Sequence, residues 1–175
     1  MGKAGTWARS ALGWRNCGRS ALCFAEEEIH HARLNQIVRV FLDTNILLDV
    51  IEARPGLVEE SVDVLTLAEH LHAELYLAWH GLATIYNLVR RRRSEVAAMK
   101  EIDQILSWAS VAPVNSESAA RARSLNFPDF EDAMQCACAE SCLADVTVTR
   151  NIKDFTPSPI RVLSPADFLH QHGNS

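Results

Sequence analysis

Apolar positions along this chain fall into short β-branched runs separated by longer segments of helical period. Val38 to Leu42 is an apolar run. Asp43-Thr44-Asn45 follows, and then Ile46, Leu47, Leu48, Val50 and Ile51. That order predicts a buried strand, a cap and an apolar helix start. Pro55-Gly56 closes the element. Leu57 to His72 carries Val58, Val62, Leu65 and Leu71 at helical spacing, with Glu59, Glu60, Asp63 and Glu69 turned outward. Glu74 to Ala78 predicts a second short strand. Two more helices follow. His80 to Arg93 has the stripe Leu82, Ile85, Tyr86 and Val89, and Glu95 to Trp108 has Val96, Met99, Ile102 and Leu106.

The second half repeats the alternation. Val111 to Val114 is a short extended piece, and Ser116 caps a helix that runs to Leu125. Asn126 to Asp129 is a turn before an alanine-rich helix over Phe130 to Leu143. Val146-Thr147-Val148 is a β-branched strand. Asn151 to Phe155 is a loop or single turn, Ile160 to Leu163 a last strand, and Ser164-Pro165 opens a helix ending near Gln171. Strands alternating with helices predict the α/β class, with a parallel sheet covered on both faces. No repeat or linker interrupts the chain after residue 36.

Composition narrows this only slightly. The 175 residues are 48% hydrophobic and 22% charged, as in a globular protein, and the net charge of −5 excludes a global basic field. The charge is uneven. Residues 36–175 hold 12 Lys and Arg against 19 acids, a net of −7, whereas residues 1–25 hold Lys3, Arg9, Arg15 and Arg19 and no acid. Residues 1–36 therefore read as a basic, irregular arm, either disordered or not part of the native product, and residues 37–172 as the domain. No apolar run approaches the roughly 20 residues that span a bilayer. Five cysteines, an odd number, without a secretory leader predict free thiols in a reducing, cytoplasmic compartment. Cys136, Cys138 and Cys142 lack the CxxC spacing of a zinc site and read as small filler on a buried helix.

Acidic residues mark the ends of the expected strands. Asp43 ends the first, Asp129 and Asp132 open the alanine-rich helix three residues apart, and Asn151 and Asp154 follow the Val146 strand. Carboxyl ends of strands border the ligand crevice of an open α/β sheet. Carboxylates gathered there repel one another unless a hard cation sits between them, and Mg²⁺ or Mn²⁺ prefers such oxygen ligands. A metal so held can activate water against a phosphodiester. Bland readings stand beside this. Asp43 and Asp129 each suit a helix N-cap, Asp145 and Asp154 suit loops, and Arg90 to Arg93 suit a solvated helix end as well as RNA phosphates. Trp79 and Trp108 are expected in or near the core. A dinucleotide-binding enzyme is disfavoured, because no Gly-x-Gly-x-x-Gly follows the first strand.

Three segments, in order, resemble the PIN-domain ribonucleases, including VapC-like toxins of bacterial toxin–antitoxin systems. They are Phe41-Leu42-Asp43-Thr44-Asn45-Ile46-Leu47-Leu48-Asp49, Asp129-Phe130-Glu131-Asp132-Ala133, and Asp145-Val146-Thr147-Val148-Thr149-Arg150-Asn151-Ile152-Lys153-Asp154-Phe155. The resemblance covers roughly Val38 to Phe168. It implies a three-layer α/β/α sandwich with a central, mostly parallel sheet, and Mg²⁺- or Mn²⁺-dependent endonucleolytic hydrolysis of RNA by metal-activated water. It also implies a cognate antitoxin protein and a homodimer as partners, with no membrane. By the same resemblance Asp43, Asp132 and Asp129 are metal ligands, and Asp43, Asp132, Asn151 and Asp154 the catalytic set. Thr44, Asn45, His80, Thr84 and Arg150 would orient groups or substrate. The chain departs from the pattern at two places. Thr84 stands where many members carry a glutamate, and Asn151 where many carry a fourth acid. Those departures support an alternative, a catalytically weak PIN scaffold that acts as a binding module.

Overall fold

The computed structural model describes residues 38–173. The expected arm at 1–36, with Cys17 and Cys23, lies outside the described residues. Five strands form one parallel sheet: β1 (Arg39–Leu42), β2 (Glu74–Leu77), β3 (Ser110–Val111), β4 (Val146–Val148) and β5 (Val162–Leu163). Seven helices are present among the described residues: α1 (Thr44–Ile51), α2 (Val58–His70), α3 (Trp79–Arg92), α4 (Glu95–Leu106), α5 (Ser116–Ser124), α6 (Phe130–Ser141) and α7 (Pro165–His172). The two extended pieces around β3 and β5 are shorter than the sequence suggests. Only Ser110 and Val111 pair with β2, and only Val162 and Leu163 pair with β4.

Alternation along the strands builds the three layers. Val40, Leu42, Leu75, Leu77, Val146 and Val148 point to one face, where they pack with Ile46, Val64, Ile85, Ala98 and Phe168 from the helices. Phe41 and Tyr76 point to the other face and meet Cys138 and Ala139 of α6 and Cys142 at its C-cap. Small side chains there let α6 lie close to the sheet. Burial pushes the Cys138 and Cys142 thiols up to about 11, so they are apolar filler rather than nucleophiles.

The strand order is β3-β2-β1-β4-β5. The chain builds outward from β1 to β3, then returns to the other side of β1 with β4. The order therefore reverses between β1 and β4, and their carboxyl ends flank the crevice that such a reversal opens.

Several expected stripes are rotated. Val62 is 41% exposed, and α2 instead buries Ser61, Val64 and Ala68. The Ser61 hydroxyl donates to the buried carboxylate of Asp49 at 2.9 Å, which fixes the inward face of the helix. On α4 the inward positions are Ala98 and Ile105, with Ala97 and Ile102 half-buried, whereas Val96, Met99 and Leu106 face outward. Trp79 and Trp108 are not core residues: they are 67% and 43% exposed. Ala78 and Leu82 take the inward places beside Trp79, and Trp108 lies on the turn after α4, at the rim of a hollow of about 850 Å³ with Val62, Leu65 and Ile105. No helix among the described residues is long and apolar enough to cross a membrane.

Candidate active site

Asp43 leaves β1 and becomes the N-cap of α1. Its backbone N–H donates to Val148 O at 3.0 Å, which ties it to β4. Its side chain is 1% exposed and is held by three donors. The Asn45 backbone N–H and side-chain Nδ2 each donate to it at 3.2 Å, and the Thr149 hydroxyl donates to Oδ2 at 2.6 Å. The capping and crevice readings of Asp43 are therefore one arrangement. The cap fixes the carboxylate, and the positive end of α1 tempers its charge. Thr149 in turn accepts the Asn151 backbone N–H at 3.0 Å, so one hydroxyl joins the ends of both central strands.

The crevice beyond these ends measures about 370 Å³. Five carboxylates line it: Asp43, Asp129, Glu131, Asp132 and Asp154. Thr44, Asn45, Leu48, Thr84, Gln135 and Asn151 complete the lining, with no Lys or Arg among them. Asp129 is the N-cap of α6, accepting the Glu131 N–H at 2.6 Å. Asp132 lies one turn into the same helix. Asn151 Nδ2 donates to Asp154 Oδ2. Gly81 explains how α3 reaches the site: a Cβ there would lie 2.5 Å from Thr44 Oγ1, so only glycine lets the start of α3 rest on the start of α1.

Crowding shows in the acid strength of Asp132. Burial, then repulsion from Asp43, Asp129, Asp154 and Glu131, pushes it up from 3.8 to about 6. Its proton is held in the folded state between these values and already lost in the unfolded chain. This contribution to stability is thus present below about pH 4 and lost as pH rises through about 6. With divalent ions chelated, Asp132→Asn is expected to melt above the wild type at pH 7.5 and level with it near pH 4. A difference that is flat across this range would refute the crowding.

Other expected residues lie elsewhere. The Arg150 guanidinium points away from the crevice lining and is engaged by Asp49, Glu60, Ser61 and the Leu57 carbonyl. His80 is half-buried and does not line the crevice, and its Nε2 has no protein partner. Burial lowers its basicity, partly countered by Glu131 and Asp43. The Thr84 hydroxyl, on the crevice wall, donates back to the His80 carbonyl at 3.2 Å. Asp145 sits at the amino end of β4, where it accepts the Arg39 N–H at 2.7 Å. In the arginine run, Arg92 pairs with Glu52, Arg93 with Glu101, and Arg90 stacks over Tyr86, as a helix end with acidic neighbours does.

Sequence reasoning missed Thr149, Glu131 and Gln135. Gln135 follows Asp132 by three on a helix, a spacing that places both on one face. Thr149 sits directly after a β-branched strand, where only the partner strand reveals its role. Among the described residues no three His, Cys, Asp or Glu side chains stand close enough together to hold one metal ion. The donor set nevertheless fits a hard cation. It is made of oxygen alone, its members repel one another, and Mg²⁺ is held through one or two carboxylates while keeping several waters.

The PIN domain profile matches residues 39–153, and the chain belongs to the PIN domain family. Among solved structures, VapBC2 from Rickettsia felis, bound to a promoter DNA fragment, matches at 18% identity. The match covers 73% of this chain and 98% of that one, with a TM-score of 0.59. VapBC-1 from nontypeable Haemophilus influenzae matches at 16% identity over 74% and 99%, with a TM-score of 0.59. A toxin–antitoxin complex from Klebsiella pneumoniae matches at 22% identity over 72% and 97%, with a TM-score of 0.57. What these structures share with the chain is the fold, an all-parallel α/β/α sandwich. No curated protein sequence matches the chain.

Proposed function

We propose that this chain is a divalent-cation-dependent endoribonuclease, using Mg²⁺ or Mn²⁺, and the toxin of a toxin–antitoxin pair. The observation that carries the reading is the crevice between β1 and β4, lined by five carboxylates and no cationic side chain. A polyanionic substrate approaches such a lining only if a cation offsets its charge. Asp43 and Asp132 would hold the cation, with Asp129 beside them. When bound, the cation supplies activation of water and stabilisation of charge on the phosphate. The protein's part is placement. Three donors fix the Asp43 carboxylate, and Asn151 and Asp154 hold each other at the rim to orient water. Thr44 and Asn45 present the start of α1 to the same space.

The partner half of the proposal draws on the structural neighbours above, VapBC2, VapBC-1 and the toxin–antitoxin complex from Klebsiella pneumoniae. An antitoxin and a second copy of the chain would cover the outward apolar side chains Val96, Met99, Leu106 and Trp108. A reducing, cytoplasmic setting suits Cys136, Cys138 and Cys142, which are free thiols in the interior.

Metal-free protein is expected to leave single-stranded RNA intact and to cut it internally once Mn²⁺ or Mg²⁺ is added. RNA left whole with both ions overturns the nuclease reading. The weak-scaffold alternative rests on Thr84 and Asn151, neither of which brings charge to the crevice. RNA left whole, without Asp43-dependent Mn²⁺ binding, would favour it.

A further inference from the structure

Gln135 lies on α6, three residues after Asp132, and lines the carboxylate crevice. It is only 3% exposed, yet its amide makes no hydrogen bond to the protein, and Oε1 is fully buried without a partner. A buried polar group in this condition is unfavourable unless something outside the protein satisfies it.

No side chain of the lining satisfies it in the structure. The carboxylates of Asp43, Asp129, Glu131, Asp132 and Asp154 are acceptors when ionised, as Oε1 is. Most side-chain donors nearby are already used, and the remaining one, the Thr44 hydroxyl, makes no bond to Oε1. Asn45 Nδ2 and the Thr149 hydroxyl donate to Asp43, Asn151 Nδ2 donates to Asp154, and the Thr84 hydroxyl donates to the His80 carbonyl. An acceptor set among acceptors is completed by a cation or by the water that a cation carries. A packing role does not account for the residue either. Leucine would fill a similar volume without a buried polar group.

We infer that Gln135 is a neutral oxygen ligand for a divalent cation in the crevice, reached directly or through one of the cation's waters. The inference rests on the metal-dependent reading above and adds one residue to it. An uncharged ligand contributes coordination without adding to the repulsion among the five carboxylates.

The test is calorimetric titration of MnCl₂ into the metal-free full chain, with thermal melts before and after Mn²⁺. Gln135→Leu is expected to weaken Mn²⁺ binding about ten- to a hundredfold, and to melt at or above the wild-type temperature without Mn²⁺. Gln135→Glu is expected to bind Mn²⁺ at least as tightly as the wild type. Wild-type affinity in Gln135→Leu would overturn the assignment, as would a lower melting temperature in its metal-free form, which marks a packing role. Loss of binding in Gln135→Glu overturns it as well, and that variant remains informative if Gln135→Leu does not fold. Asp43→Asn separates the two levels. If the wild type gives no Asp43-dependent heat, the metal-dependent reading itself fails. If that heat is present and Gln135→Leu binds normally, only the role of Gln135 fails.

Discussion

Asp43→Asn is expected to lower Mn²⁺-dependent RNA cleavage about a thousandfold or more, equivalent to several kcal/mol of transition-state stabilisation. Folding should survive. The asparagine side-chain oxygen can still accept the Asn45 N–H, and the cap changes little between aspartate and asparagine. The charge facing the crevice is what disappears. A melting temperature near that of the wild type, together with lost cleavage and lost Mn²⁺ heat, is the expected pair of results. Near-normal cleavage in this variant would remove Asp43 from the reaction. Asp43→Ala would be less informative, because it also removes the acceptor of the Asn45 backbone N–H and with it the cap of α1.

The largest loss of stability is expected from Arg150→Met. Asp49 is fully buried at 0% exposure on α1, where it is bound by Arg150, by the Ser61 hydroxyl at 2.9 Å and by Arg54 at 3.2 Å. Arg150 also donates to Glu60 at 2.7 Å, to the Leu57 carbonyl at 2.8 Å and to Ser61 Oγ at 2.9 Å. One guanidinium thus pins α1, the entry to α2 and the loop after β4. Removing it leaves the Asp49 charge buried with only a half-exposed arginine opposite. Breaking a buried pair on one side costs about 3–5 kcal/mol, which lowers the melting temperature by about 10 °C in a domain of this size. The double variant Asp49→Asn with Arg150→Met should be less destabilised than Arg150→Met alone, because no orphan charge remains. Urea unfolding of the three proteins checks this. A fully additive double variant would show that the two side chains do not depend on each other.

Because Arg150 lies between Thr149 and Asn151, the same clamp steadies the residues that face Asp43. An arginine beside an acidic motif suggests a hand for phosphate when only the sequence is visible. In the fold it is a structural anchor, since the buried carboxylate of Asp49 competes for it at close range.

The sequence alone determined the alternation of strands and helices, and hence the α/β class and the parallel sheet. It also determined the carboxylates at strand and helix ends. These are local properties: a β-branched run such as Val146-Thr147-Val148, or a cap such as Asp43 before Ile46, is specified by residues within a few positions of each other. Element boundaries followed within a residue or two where caps stand, as at Ser164 and at Ser116, although the cap of that helix is Asn115, whose side-chain oxygen accepts from the Glu117 and Ser118 N–H groups, and not Ser116. Helical faces were less legible. The period of α2 and α4 allowed more than one apolar stripe, and contacts distant in sequence chose between them: the Ser61–Asp49 bond for α2, and the inward Ala98 and Ile105 for α4. The crevice was decided by tertiary structure alone. Placing β4 beside β1 brought Thr149 within 2.6 Å of Asp43 across 106 residues of chain, and placing α6 on the sheet turned Gln135 into the carboxylate crevice. Neither pairing has a local signature, because hydrogen bonds and charges act over a few ångströms and only the folded chain sets those distances.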